Sequence, residues 1–223
     1  MASLTVENYV KAILQVQQKS GDALVSPGAL ASRLGVSPGS VTSMLKTLAE
    51  SGLVSYVPYE GVKLTDAGTK LATRMVRRHR LIELFLHNTL NLTWDQVHEE
   101  AEELEHAVSE FLIDRIDDYL GHPGADPHGA PIPAADGQMR GNSADTVTLD
   151  TCETGDQVRF VRVVNQEPDF LRYLSDSGFQ LGKVGAIVEN SHDAGVIRAA
   201  IEGQQITVDR QAAQSILVER TGS

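Results

Sequence analysis

A mainly helical N-terminal two-thirds followed by a small β-barrel is the fold class this sequence predicts. Three observations predict it. Apolar residues recur at helical spacing from Leu4 to Ile116, punctuated by Ser-Pro starts and glycine stops. The composition then shifts to Gly, Pro, Ala and Asp from Gly121 to Asp145, which reads as linker. Short alternating runs separated by turns fill the last third.

Residues 4–19 form the first predicted helix, with Leu4, Val6, Val10, Ile13, Leu14 and Val16 near helical spacing and Ser20-Gly21-Asp22 ending it. Ser26 caps a second helix that opens on Pro27 and closes at Gly35. Ser37 caps a third, running from Pro38 through Val41, Leu45 and Leu48 to Gly52. Two short helices joined by a tight turn describe a helix-turn-helix. Leu53–Val57 then alternates like a strand, Pro58–Gly61 turns, and Val62–Thr65 returns as a hairpin wing.

A helix of this kind fits the major groove of DNA, where hydroxyls meet base edges and small apolar groups meet thymine methyls. Ser37, Pro38, Ser40, Thr42 and Ser43 supply such groups, and Arg33, Lys46 and Lys63 are candidates for phosphate contacts. The alternative for the same elements is a protein-interaction module. Charge favours DNA. The net charge of −11 conceals a segregation: residues 1–80 hold ten Lys/Arg against five Asp/Glu, whereas residues 81–150 hold two against fifteen. A polyanion suits the basic third and cations suit the acidic middle.

A long helix spans about 67 to 90 and places His79 and Glu83 four apart on one face. After a Thr93 cap, Val97 to Ile116 reads as one further helix. At about 100° per residue, with His98 at zero, Glu102 falls near 40°, Glu105 near −20° and His106 near 80°. Ala101, Leu104, Val108, Phe111 and Leu112 make a separate apolar stripe. Glutamates alone would be a solvated face, but imidazoles at helical spacing from them point to a metal. His122 and His128 fall in the linker-like stretch with no fixed partner spacing. Beyond it, strands are predicted at Val158–Val164, Gly185–Val188, Val196–Ile201 and Ile206–Val208, with a helix near Pro168–Ser175.

The single Cys152 forms no internal disulfide, which fits a reducing compartment. No apolar run approaches the ~20 residues of a membrane span. The start, MASLTVENYVKAIL, reads as cytoplasmic rather than as a signal peptide.

A winged helix followed by RRHRLIELFL, HEEAEELEH and GAPIP resembles the diphtheria toxin repressor family of metal-dependent repressors over residues 1–140. The tail, with LSDSGFQLGKVGAIVE and QQITVDRQAAQSILVE, resembles that family's SH3-like domain. The resemblance implies a winged helix-turn-helix domain at 1–73, a helical dimerisation and metal-binding domain at 74–140, a linker at 141–149 and the SH3-like domain at 150–223. It implies a homodimeric repressor of metal-homeostasis genes that binds a palindromic operator with Mn(II) or Fe(II) as co-repressor. One site would use Glu102, Glu105 and His106, with Asn8 from the first helix. A second would use His79, Glu83 and His98, with Gln166 or Glu167 from the C-terminal domain.

By that resemblance Glu102 matches the manganese-responsive branch, whereas Asn8 stands where the iron branch has Met and the manganese branch Asp, and Lys11 where the manganese branch carries a ligand Glu, so the chain is a hybrid. Donors of this type, without thiolate, suit Mn(II) and Fe(II); Co(II), Ni(II) and Zn(II) would bind in vitro. Two other readings stay open: a winged-helix regulator sensing an organic ligand, and a metalloenzyme. His98-Glu99 lacks the second histidine of HExxH, and Glu103-x-x-His106 is one half of a di-iron motif without its partner. No catalysis is expected.

Overall fold

The computed structural model describes residues 3–19, 21, 23–141 and 145–221. Ser20 and Asp22 of the expected first helix end, and 142–144 of the expected linker, lie outside them. The chain forms two compact units, Met1–Arg78 with Pro133–Gln138, and His79–Ile132 with Met139–Ser223.

In the first unit, α1 (Leu4–Lys19), α2 (Pro27–Leu34) and α3 (Pro38–Glu50) precede a two-stranded wing, β1 (Val54–Val57) and β2 (Gly61–Leu64). The starts of α2 and α3 are set by their serines. Ser26 Oγ accepts from the Ala29 N–H at 3.1 Å, and Ser37 Oγ from the Ser40 N–H at 3.1 Å; each such cap contributes about 1 kcal/mol. Gly35 makes the turn between them at φ 64°, a left-handed conformation that costs glycine little. Ile13, Leu30, Val41, Leu45, Leu48 and Val62 are fully buried in the core that these elements share. The wing pairs antiparallel from Val54↔Leu64 to Val57↔Gly61.

Helix α4 (Asp66–Leu90) continues from the first unit into the second, where α5 (Trp94–Leu104) and α6 (Glu110–Tyr119) follow. The single helix expected over Val97–Ile116 is therefore two. Ser109 Oγ accepts from the Leu112 N–H at 3.2 Å and begins a new helix, so the phase read before it does not carry past it. Phe111 is 71% exposed and Leu112 46%, while Ile113 and Ile116 are buried instead. Glu105 becomes the C-cap of α5, and His106 falls in the turn beyond.

The last third is a six-stranded antiparallel sheet of SH3-like type in the order β3 (Val147–Thr148), β8 (Ile216–Arg220), β4 (Gln157–Val163), β5 (Val184–Ser191), β6 (Val196–Ile201) and β7 (Gln204–Asp209). Helix α7 (Pro168–Asp176) packs against α5, and a short α8 (Arg210–Ala213) precedes β8. Trp94, the first residue of α5, is built into the same core as Phe160 and Phe179.

The stretch expected as linker is folded up to Ile132. Asp126 Oδ1 accepts from the N–H of His128 at 2.8 Å and of Ala130 at 2.9 Å, a side-chain turn of the kind aspartate favours. The His128 carbonyl accepts from Val163 N–H at 2.9 Å, which ties the loop to β4. Gly129 permits this approach. It sits at φ +82°, and a Cβ there would lie 2.1 Å from the Val161 carbonyl oxygen.

Candidate metal centre

Three elements of the second unit converge on Glu83. On α4, His79 and Glu83 share a face, with His79 Nε2 3.0 Å from Glu83 Oε1. On α5, His98 brings Nδ1 to 3.0 Å from the same oxygen and 3.3 Å from His79 Nε2. From the 121–132 loop, His128 places Nδ1 3.7 Å from the other oxygen, Oε2. Asp126 stands beside it, with Oδ2 3.7 Å from Arg80 Nε. Glu83 and His128 are fully buried, and His79 and Asp126 nearly so.

His79 also links this group to the end of α5. Its Nδ1 lies 2.6 Å from Glu105 Oε2 and 3.7 Å from Glu102 Oε1. Glu105 Oε1 is in turn 3.6 Å from His106 Nε2. Three sets of candidate ligands result, each with its donor atoms within 4.8 Å of one another: His79, Glu83 and His98; His79, Glu102 and Glu105; and Glu83, Asp126 and His128.

The hydrogen bonds fix which nitrogens are available. A carbonyl oxygen only accepts, so His128 Nε2, 3.2 Å from the Trp94 carbonyl, carries a proton. In the neutral ring Nδ1 is then a lone pair facing Glu83 and Asp126. His79 lies between two carboxylates, with Nδ1 on the Glu105 side and Nε2 on the side of Glu83 and His98. Burial opposes the charge of Glu83, yet the imidazoles of His79, His128 and His98 hold its carboxyl well below the usual carboxylate range. Burial, then the Glu83 charge, push Asp126 up against the pull of His128 and Arg80. Burial alone would lower the His128 value, but Glu83, Asp126 and the Trp94 carbonyl together raise it.

The residues present fit a divalent cation. Glu83 Oε2 and Asp126 Oδ2 are buried without a hydrogen-bond partner, a costly state that a bound cation relieves. The donors are imidazole nitrogen and carboxylate oxygen, the set that suits first-row divalent metals.

Of the residues singled out from the sequence, His79, Glu83, His98, Glu102 and Glu105 come together, with His106 beside Glu105. Gln166 places its amide Nε2 3.3 Å from His128 Nδ1. Glu167 is exposed at the N-cap of α7 and joins none of the three sets. Asn8 lies in the first unit, where its Oδ1 is buried without a hydrogen-bond partner. Asp126 and His128 were missed because a Gly/Pro-rich composition masked a loop held by aspartate. The readable signal was Asp-Pro-His, two ligand types one residue apart beside a turn.

On the first unit, Arg33, Ser37, Pro38, Ser40, Ser43, Lys46 and Lys63 are exposed and Thr42 half-buried. Thr42 donates its hydroxyl to the Pro38 carbonyl at 3.0 Å, and Arg33 donates to Gln15 Oε1 at 2.8 Å. Among the described residues no helix is long and apolar enough to cross a membrane.

Three family models match the chain: iron dependent repressor, N-terminal DNA binding domain, over residues 1–62; iron dependent repressor, metal binding and dimerisation domain, over 65–134; and FeoA domain over 147–220. A solved manganese-dependent transcriptional repressor in complex with manganese is 40% identical, with a TM-score of 0.85 over 96% of this chain and 99% of that one. The structure of ScaR with bound Zn²⁺ is 34% identical, with a TM-score of 0.78 over 96% and 99%. The iron-dependent repressor IdeR of Mycobacterium tuberculosis (strain ATCC 25618 / H37Rv) is 26% identical over 226 residues, 97% of either chain. With a winged helix-turn-helix, a histidine–carboxylate cluster and an SH3-like sheet in the same order as these relatives, the chain belongs to the iron-dependent repressor family, that of the diphtheria toxin repressor.

Proposed function

We propose that this protein is a metal-dependent DNA-binding repressor, with Mn(II) or Fe(II) as co-repressor, acting as a homodimer on a palindromic operator. The observation that carries the reading is the convergence of His79 Nε2 and His98 Nδ1 on one oxygen of a fully buried glutamate, at 3.0 Å each, in a chain that begins with an exposed helix-turn-helix. His79, Glu83 and His98 hold one cation position. Glu102, Glu105 and His106 flank a second, with Glu105 shared as the hydrogen-bond acceptor of His79. A bound divalent cation supplies the positive charge that lets these carboxylates stand together.

Ser37, Pro38, Ser40, Thr42 and Ser43 face base edges, and Arg33, Lys46 and Lys63 the phosphates. In a dimer, two such helices read half-sites a whole number of helical turns apart. The role is regulatory rather than catalytic, and the reading places the protein in the cytoplasm.

Metal and operator binding must strengthen each other reciprocally, by about 5–150-fold for coupling of ordinary size. An anaerobic gel-shift titration tests this. Operator affinity rises with added Mn(II) or Fe(II) and falls with chelator; equal affinity in the two conditions ends the reading.

A further inference from the structure

We infer that Tyr59, at the tip of the wing, is a DNA contact of this protein, with its ring along the sugar-phosphate backbone and its hydroxyl donating to a phosphate oxygen. The inference rests on the DNA-binding reading above and adds a contact that the recognition helix does not supply.

Tyr59 carries two costs that nothing inside the chain offsets. The first is conformational. Pro58 and Tyr59 are the central residues of a four-residue turn closed by the Glu60 N–H on the Val57 carbonyl at 3.2 Å. Tyr59 sits at φ 69°, the left-handed conformation that the second central residue of a type II turn needs and that glycine or asparagine usually supplies. For a bulky side chain this is strained. Two residues on, glycine does stand where the fold requires it, since a Cβ on Gly61 would lie 2.8 Å from the Val25 carbonyl oxygen. The second cost is exposure. Tyr59 is 104% exposed, so its ring packs on nothing. Tyr56, three residues earlier in the same wing, packs against the core of its unit. An uncovered aromatic side chain held in a strained conformation points to a partner outside the chain.

Place and chemistry choose DNA as that partner. Tyr59 falls within residues 1–62, the part of the chain that matches the repressor family's N-terminal DNA binding domain. The last pair of the wing is Val57↔Gly61, so Tyr59 stands beyond the paired strands, and Lys63 is exposed on β2 of the same hairpin. Tyrosine is among the side chains that hydrogen-bond to phosphate oxygens, and it does so as an uncharged donor. Glu60 argues for the backbone rather than the groove floor. Its carboxylate is exposed next to Tyr59, and a narrow minor groove, where negative potential is strongest, would repel it most. At the rim the acid weakens the contact without barring it.

The test uses the full-length protein loaded anaerobically with Mn(II). The probes are the duplex that the unaltered protein selects from a random pool and an unrelated duplex of equal length. Fluorescence anisotropy over a range of salt concentrations gives affinity, and thermal unfolding without DNA gives stability. Tyr59→Gly removes both the strain and the ring, so Tm should rise while affinity falls, a pairing that a purely structural residue would not give. Tyr59→Phe keeps the ring and loses one hydrogen bond. Its Tm should be unchanged and its affinity about 3–10-fold lower on both duplexes, with the salt slope unaltered because no charge is lost. Glu60→Gln should strengthen binding to both duplexes, most at low salt, where the repulsion it removes is least screened.

Unchanged affinity in Tyr59→Gly would overturn the contact. A loss in Tyr59→Gly with none in Tyr59→Phe would overturn the hydroxyl's role and make the ring a wedge between bases, and a loss confined to the selected duplex would make it a base reader. Glu60→Gln binding like the unaltered protein at every salt concentration would place the wing tip away from the phosphates. Failure of the metal-loaded, unaltered protein to select any duplex would instead bring down the DNA-binding reading itself.

Discussion

His79 Nδ1 donates to Glu105 Oε2 across 2.6 Å, joining the middle of α4 to the C-cap of α5. The contact does two things. It holds Nδ1 on the Glu105 side, so Nε2 is the nitrogen turned to Glu83 and His98, and it orients a ring that is 5% exposed. An acidic partner behind a ligating histidine raises its basicity, and losing such a partner commonly costs 10–100-fold in metal affinity.

Glu105→Gln tests this directly. The amide can still accept from Nδ1 but carries no charge, so the fold is retained while Mn(II) affinity falls by about 10–100-fold. Operator binding then needs correspondingly more metal. Titration calorimetry with circular dichroism on the same samples separates the two effects. Unchanged affinity would mean that the 2.6 Å contact is a structural pair only.

Metal binding should depend steeply on pH. The ligating histidines must be unprotonated, so protons compete with the cation. The sign follows from His128. Burial lowers its value, but Glu83, Asp126 and the Trp94 carbonyl outweigh burial and raise it above that of a free imidazole. Its proton therefore competes to higher pH than an ordinary histidine's, about 6.5. Glu83, held low, stays ionised throughout this range and adds no slope. Mn(II) affinity should rise from pH 5.5 to 8 with proton release on binding, measured by calorimetry in buffers of different ionisation heat. His128→Gln should flatten the upper part of that rise; the same slope in the variant would remove His128 from the ligands.

Much of this fold is legible in local chemistry. Ser26-Pro27, Gly35 and Ser37-Pro38 mark helix ends by caps that the structure uses as such, and the wing's alternation needs only its own hairpin. What escaped depended on one short local cap and on distant partners. Nothing local to Val97–Ile116 outweighs its helical periodicity except Ser109, whose cap on Leu112 restarts the helix. The 121–132 loop looked like linker because its order comes from Asp126 bonding its own turn and from β4, more than thirty residues on. The same tie hid two of the seven candidate ligands. His79, Glu83, His98, Glu102 and Glu105 could be grouped by helical phase, whereas Asp126 and His128 reach Glu83 only through tertiary contact.

Gly129→Ala probes that tie. The substitution forces an alanine into φ +82° and sets its Cβ 2.1 Å from the Val161 carbonyl, so the loop must leave β4. Backbone strain of this kind costs about 1–3 kcal/mol, and each kcal/mol lowers Tm by roughly 2–4 °C for a chain of this size. Thermal unfolding of the metal-free protein should show the loss, and Mn(II) loading should fall because His128 moves with the loop. Full loading at lowered Tm would show that the loop stabilises the unit without supplying a ligand.

The exposed lysines give the last prediction. Lys46 on α3 and Lys63 on β2 are solvent-facing, while Arg33 is held by Gln15 at 2.8 Å. A lysine that neutralises a phosphate releases a counterion, so its contribution appears in the salt dependence of binding, at a slope of about 0.9 per contact. Lys46→Ala and Lys63→Ala should each weaken metal-loaded binding to operator and to unrelated DNA by similar factors, and each should reduce the salt slope by about 1. Ser40→Ala is the contrast. Its hydroxyl, 2.9 Å from Ser37 Oγ at the exposed start of α3, carries no charge, so its loss should change the preference among operator sequences and leave the slope alone. Fluorescence anisotropy over a range of salt concentrations distinguishes the two classes. A slope unchanged in both lysine variants would place the phosphate contacts elsewhere on the first unit.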